Sequence, residues 1–129
     1  MKKYIKVVGA VIIENNKILC AQRSKSMSLP LLWEFPGGKI EQDESPEEAL
    51  IRELKEEMNC VVEVAEKVTT TVHEYDFATI ELTTYYTKII EGDIQLTEHN
   101  QIKWLTRSEV SSLEWAPADI PAVELIKNA

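Results

Sequence analysis

The sequence predicts an α+β fold: a single domain spanning residues 1–129, with a mixed β-sheet and few helices. Three observations lead there. Residues from Pro46 to Met58 carry apolar positions at helical spacing behind a strong start signal. The β-branched stretches Val61–Val72 and Phe77–Ile90 read as long strands. The chain has 129 residues, 44% of them apolar, which suffices for one core and leaves no room for a second.

Taken in order, Tyr4–Glu14 and Lys17–Arg23 are expected to be strands joined through a turn at Asn15-Asn16. Ser24–Lys39 is rich in Ser, Pro and Gly and is read as a loop long enough to be functional. The main helix follows. Ser45 is its N-cap, Pro46 suits the first helical position, and Glu48 completes a Ser-x-x-Glu capping box. Leu50, Ile51, Leu54 and Met58 form its inward stripe. After the two long strands, Ile102–Leu105 is a short strand, and Thr106-Arg107-Ser108-Glu109 opens a brief helix through a second capping box. A final helix is expected over Ala118–Asn128, with Ile120, Val123, Leu125 and Ile126 inward. No internal repeat or low-complexity tract occurs.

The formal net charge is −8. Polymeric nucleic acid is therefore not an expected partner, because such binding needs a lysine and arginine footprint. A small phosphorylated ligand is compatible with this charge, since bound cations reverse the local sign of a site. No apolar run approaches the roughly 18 residues of a membrane span, and the N-terminus lacks a signal-peptide pattern, so a cytoplasmic protein without a membrane partner is expected. Cys20 and Cys60 lack metal-type spacing and are read as buried free thiols. The sequence leaves the oligomeric state open, and His73 and His99 receive no role.

The chemistry concentrates in Arg52-Glu53-Leu54-Lys55-Glu56-Glu57, with three carboxylates in five residues. At about 100° per residue, Glu53, Glu56 and Glu57 share one arc, centred roughly 130° from the apolar stripe. A hard divalent cation such as Mg²⁺ suits this cluster, because it takes oxygen ligands and keeps waters that phosphates can replace. A solvated acidic face is the plainer reading of a Glu-rich helix. Two features oppose it: the helix dipole disfavours anions at the C-terminal end, where Glu56 and Glu57 stand, and Arg52 can reach and hold a neighbouring carboxylate. Upstream, Phe35-Pro36-Gly37-Gly38 is a loop whose backbone can approach a metal closely.

These residues resemble the Nudix family. Its box, Gly-x5-Glu-x7-Arg-Glu-hydrophobic-x-Glu-Glu-x-Gly-hydrophobic, is met at Gly38, Glu44, Arg52, Glu53, Leu54, Glu56, Glu57 and Cys60, eight of nine defined positions. The departure is Asn59 in place of the last glycine, and Asn is the next most tolerant residue at a left-handed C-cap. Beyond the box, the MutT-like branch is resembled over nearly the whole chain. The residues concerned are Val8–Ile12, Ala21-Gln22-Arg23, Trp33–Lys39, Glu98 ahead of Trp104, and Ala116–Pro121.

The resemblance implies a mixed sheet sandwiched between helices and hydrolysis of a nucleoside triphosphate to the monophosphate and pyrophosphate. The implied cofactor is Mg²⁺, with Mn²⁺ as a substitute, and the partner is the small-molecule nucleotide. Glu56 and Glu57 become principal metal ligands, joined by Glu53, Glu98 and the Gly37 carbonyl. Glu53 or Glu98 is the base, and Arg52 assists catalysis. Glu44 supports the loop and helix.

Arg23, Glu34, Phe35, Lys39, Phe77 and Asp119 are candidate substrate contacts, and Trp33 is a further aromatic able to stack on a base. Asp119 is either a helix N-cap or a base reader that, ionised, only accepts hydrogen bonds. The implied substrates are 8-oxo-dGTP, in cleaning of the nucleotide pool, or a cytidine-type triphosphate. A nucleoside-diphosphate sugar or dinucleoside polyphosphate, and a non-catalytic nucleotide-binding module, are the alternatives.

Overall fold

Strand β1, Lys3–Glu14, is the backbone of the computed structural model, which describes residues 2–129. It turns through Asn15 and Asn16, both left-handed at φ 52° and 65°, into β2, Lys17–Gln22. Two successive positive φ values are what a tight hairpin demands, and asparagine tolerates them. Two short strands follow, β3 at Trp33–Glu34 and β4 at Gly37–Lys39. Residues 24–39 are therefore not one open loop as expected. Ala21 and Gln22 pair with β3, and Val7–Gly9 pair with β4.

Helix α1, Pro46–Met58, matches its predicted bounds, and Ser45 with Glu48 forms both halves of the capping box. Asn59 ends it at φ 55°, ψ 39°. Next come β5, Val61–Glu74, β6, Ala78–Glu91, and β7, Gln101–Leu105. Of the second expected capping box only one half forms, Glu109 Oε1 accepting the Thr106 N–H at 3.0 Å, while the Glu109 N–H goes to the Thr106 carbonyl, and it leads only to a three-residue 3₁₀ turn at Val110–Ser112. A second such turn, Pro117–Asp119, precedes α2, Ile120–Lys127, so the last helix is shorter than expected.

The sheet is mixed. β1 runs parallel to β6 from Lys3↔Ala78 to Ile12↔Thr87. The pairs β1–β2, β1–β4, β2–β3, β2–β7 and β5–β6 are antiparallel. Alternation along β1 divides the core in two. Val8, Ala10 and Ile12 meet Ala49, Leu50, Leu54 and Met58 of α1, while Val11 meets Val123 and Ile126 of α2 on the other face. The sheet is thus sandwiched between the helices. Each fully buried aliphatic side chain here contributes about 1.5–3 kcal/mol.

Three predicted inward residues point outward: Ile51 is 42% exposed, Ile120 44% and Leu125 51%. Ala49 and Ala122 take the buried positions in their helices instead. Cys20 and Cys60 are free and buried, and burial pushes the Cys20 thiol up to about 12. Among the described residues, no helix is long and apolar enough to cross a membrane.

Candidate active site

The β4 register positions the acidic end of the site. Gly38 lies opposite Val8 and under α1, so close that a Cβ there would fall within 2.7 Å of Glu53 Oε1. At Gly37 a Cβ would collide with the Val8 carbonyl. Both positions need glycine because of close approach, and only Gly38 spares a functional side chain.

Arg52 organises the carboxylates around itself. Its Nε and Nη2 donate to the two oxygens of Glu44 at 2.6 and 3.0 Å, a bidentate pair, and Nη2 also donates to the Lys39 carbonyl at 3.0 Å. Nη1 lies 3.2 Å from Glu56 Oε2, 3.3 Å from Glu53 Oε2 and 3.5 Å from Glu41 Oε1. The guanidinium holds the Glu44 carboxyl below its ordinary range, and the Glu41 backbone N–H assists. Glu44 thus supports the loop and the helix, while Arg52 fixes its neighbours without facing the cleft.

Glu57 lies one turn on from Glu53 and is different in kind. Its Oε2 is buried and has no hydrogen-bond partner. Burial, then the charges of Glu53, Glu98, Glu34 and Glu56, push its carboxyl up to about 8. Burial raises Glu53 as well, against the opposing pull of Arg52. Glu98 is exposed on the loop 92–100, whose Thr97 hydroxyl donates to the Glu57 carbonyl at 2.8 Å.

Glu57, Glu98, Gly37 and Lys39 line one cleft of about 500 Å³ together with Phe35 and Asp119. Asp119, which shares this lining, is buried, and its Oδ1 accepts the Phe35 backbone N–H at 3.1 Å. Asp119 stands at the N-cap position of α2 yet makes no capping bond, which sets aside the cap reading. Burial first, and then Glu34, raise its carboxyl well above the ordinary range, which favours the neutral acid. Ionised, Asp119 would only accept; protonated, it would also donate.

Arg23 spends three of its five N–H groups on partners within the protein and lines the cleft. Nη1 donates to Glu34 at 2.6 Å, Nε to the Ser28 carbonyl at 2.7 Å, and Nη2 to the Ser28 hydroxyl at 3.1 Å. Phe35 is buried against Trp115, with ring centroids 4.7 Å apart, and its backbone rather than a free ring face meets Asp119. Phe77 is 50% exposed at the cleft edge, stacked on Tyr75 at 5.1 Å. Trp33, by contrast, is buried in the α2-side core and is not a stacking surface.

Two cleft residues carried no sequence signal. His99 places Nε2 2.8 Å from Glu34 Oε2, and the Tyr75 oxygen accepts the Ala118 N–H at 2.8 Å. Their partners lie 65 and 43 residues away, so spacing could not reveal them.

The donor set suits a divalent cation. A buried carboxylate oxygen without a partner, among four more acids, is a group that a cation would satisfy, and the all-oxygen chemistry is that of a hard divalent ion. Among the described residues, no three His, Cys, Asp or Glu side chains converge closely enough to hold an ion by themselves. Arg52 draws Glu53 and Glu56 to itself, which accounts for the spread of the acids.

A glycine-paired loop, a capped helix that sets a buried carboxyl in a cleft, and an Arg-anchored acid cluster beside it define a hydrolase of the Nudix type. The chain belongs to that family: the NUDIX domain model matches residues 3–126. It is 40% identical to the CTP pyrophosphohydrolase of Escherichia coli (strain K12) over 122 residues, covering 95% of this chain and 90% of that protein. The 8-oxo-dGTP diphosphatase of the same strain is 31% identical over 133 residues, covering 99% of each. Among solved structures, the DNA mismatch repair protein MutT of methicillin-resistant Staphylococcus aureus 252 is 58% identical, with a TM-score of 0.82 over 99% of this chain and 98% of that one.

Proposed function

We propose that the protein is a nucleoside triphosphate pyrophosphohydrolase dependent on Mg²⁺, replaceable by Mn²⁺, that removes 8-oxo-dGTP from the nucleotide pool. The observation that carries this reading is the single cleft joining unpartnered Glu57 Oε2 to buried Asp119. One end suits phosphates and a cation, the other a base edge.

Glu56, Glu57, Glu98 and the Gly37 carbonyl would hold the cation, with Glu53 beside them. When bound, such an ion neutralises phosphate charge and acidifies water. Glu53, or else Glu98, accepts the proton of the water that attacks phosphorus. The P–O bond of the α–β bridge breaks, and the water oxygen and the bridging oxygen end on separate products, the monophosphate and pyrophosphate. Arg52 keeps Glu53 and Glu56 in place, and Lys39 at the cleft edge meets phosphate. Arg23 holds Glu34 and, lining the cleft with two N–H groups still free, would also contact the substrate. Phe77 offers the free aromatic face, and Asp119 with Glu34 reads the base.

A cytidine-type triphosphate is the second reading. It is favoured by the 40% identity to a CTP pyrophosphohydrolase and by two carboxyl groups able to accept from an exocyclic amine. Pyrophosphate release should be measured with Mg²⁺ from 8-oxo-dGTP, dGTP, dCTP and 5-methyl-dCTP. The largest kcat/KM is expected for 8-oxo-dGTP. A larger value for the cytidine pair selects the second reading. No pyrophosphate from any of them, or sugar phosphate released from a nucleoside-diphosphate sugar instead, overturns both.

A further inference from the structure

Glu34 is held from two sides. Arg23 occupies its Oε1 at 2.6 Å, and His99 stands 2.8 Å from its Oε2. A carboxylate that is ion-paired with arginine only accepts, so the proton in the second contact belongs to His99 Nε2. The His99 side chain is only 3% exposed, in a loop whose neighbours Glu98 and Asn100 are exposed.

That loop is pinned at a few points. Gln95 N–H donates to the Met58 carbonyl at 3.0 Å, and the Thr97 hydroxyl to the Glu57 carbonyl at 2.8 Å. On the far side, Asn100 N–H donates to the Gln22 carbonyl at 2.9 Å. Only Glu98 and His99 lie between Thr97 and Asn100. The exposed Glu98 side chain makes no hydrogen bond or ion pair of its own among the described residues, so the protein governs it through the backbone from which it projects. The side chain that docks that stretch of backbone is His99.

We propose that His99 is a positioning residue: by donating to Glu34 it holds the backbone that presents Glu98 to the cleft in register with the residues that read the base. The inference rests on the triphosphate reading above. His99 touches no reacting atom in this scheme. It acts through Glu98, and a misplacement of about 1 Å in such a group can cost up to about 10²-fold in rate.

The side-chain amide nitrogen of glutamine reaches about as far as imidazole Nε2, whereas that of asparagine reaches only as far as Nδ1. The test is therefore kcat and KM for pyrophosphate release by His99→Ala, His99→Gln and His99→Asn, with Glu98→Gln and the double variant Glu98→Gln/His99→Ala, and a thermal melt of each. His99→Ala should lower kcat about 10- to 100-fold, and more than it raises KM. His99→Gln should recover most of that loss while His99→Asn does not. In the Glu98→Gln background His99→Ala should add almost nothing, because the two act as a unit.

Wild-type kcat in His99→Ala overturns the inference. So does equal failure of the Gln and Asn variants, or a full further loss in the Glu98→Gln background, which marks a role independent of Glu98. A wild-type protein that releases no pyrophosphate overturns the triphosphate reading and this inference with it, whereas failure among the variants alone leaves that reading standing.

Discussion

Asp119 Oδ1 and the Phe35 backbone N–H are joined at 3.1 Å across 84 residues, tying the start of α2 to the residue after Glu34. This bond separates the structural work of Asp119 from the base reading proposed for it. Asn keeps an oxygen in the same place, so Asp119→Asn should melt within about 2 °C of the wild type, while Asp119→Ala strands a buried N–H and costs about 1–3 kcal/mol. With structure preserved, the Asn variant should change the kcat/KM ratios among 8-oxo-dGTP, dGTP, dCTP and 5-methyl-dCTP. Unchanged ratios would mean that Asp119 serves the fold alone.

Glu57 trades stability for chemistry. Its carboxyl rises from an ordinary value of 4.5 to about 8 on folding, so the folded protein binds the proton more tightly than the unfolded chain. The stability this lends is complete below about pH 4.5 and is lost as pH rises through about 8. Glu53 and Asp119 are raised too and act in the same sense. Each tenfold gain in proton affinity on folding is worth about 1.4 kcal/mol, so the metal-free protein should melt several degrees lower at pH 8.5 than at pH 6. Glu57→Gln should flatten most of that slope and raise the metal-free melting temperature at pH 8.5, yet lose about 10²-fold or more in turnover. Melts in chelator at the two pH values, beside a turnover assay, check both parts. A Gln variant with normal turnover removes Glu57 from the metal set.

What the sequence made legible was local. Ser45, Pro46 and Glu48 start α1 by bonds within four residues, and Asn59 ends it by its own left-handed φ of 55°. Asn15 and Asn16 do the same for the first hairpin. Pairings that depend on distant partners were out of reach: β4 forms because Gly37–Lys39 meets Val7–Gly9, and His99 matters because Glu34 is beside it. Periodicity also sets the phase of a short helix poorly. In the eight residues of α2, Ile120 and Leu125 are apolar enough to be assigned inward, but the turn at Pro117–Asp119 rotates Ala122, Val123 and Ile126 there instead.

Arg52 makes its contacts through all three guanidinium nitrogens, and lysine cannot reproduce that fork. Arg52→Lys should keep far-UV circular dichroism, since α1 is capped and packed without it. It should lower kcat about tenfold or more, because Glu53 and Glu56 lose their shared anchor. A tenfold loss confined to KM would instead assign Arg52 to substrate binding, against its place away from the cleft.

The two glycines of β4 should respond in opposite ways to the same methyl group. At Gly37 the added carbon runs into the Val8 carbonyl, and neither β4 nor β1 can yield without breaking their pairing. Gly37→Ala should therefore lower the melting temperature sharply, by roughly 5 °C or more. At Gly38 the obstacle is the Glu53 carboxylate, which can swing aside at little cost to the fold. Gly38→Ala should keep its melting temperature within about 2 °C while kcat falls about tenfold or more, as expected if Glu53 must sit where it does. Paired melts and turnover assays on the two variants decide it. A Gly38→Ala protein with normal kcat would move the base from Glu53 to Glu98.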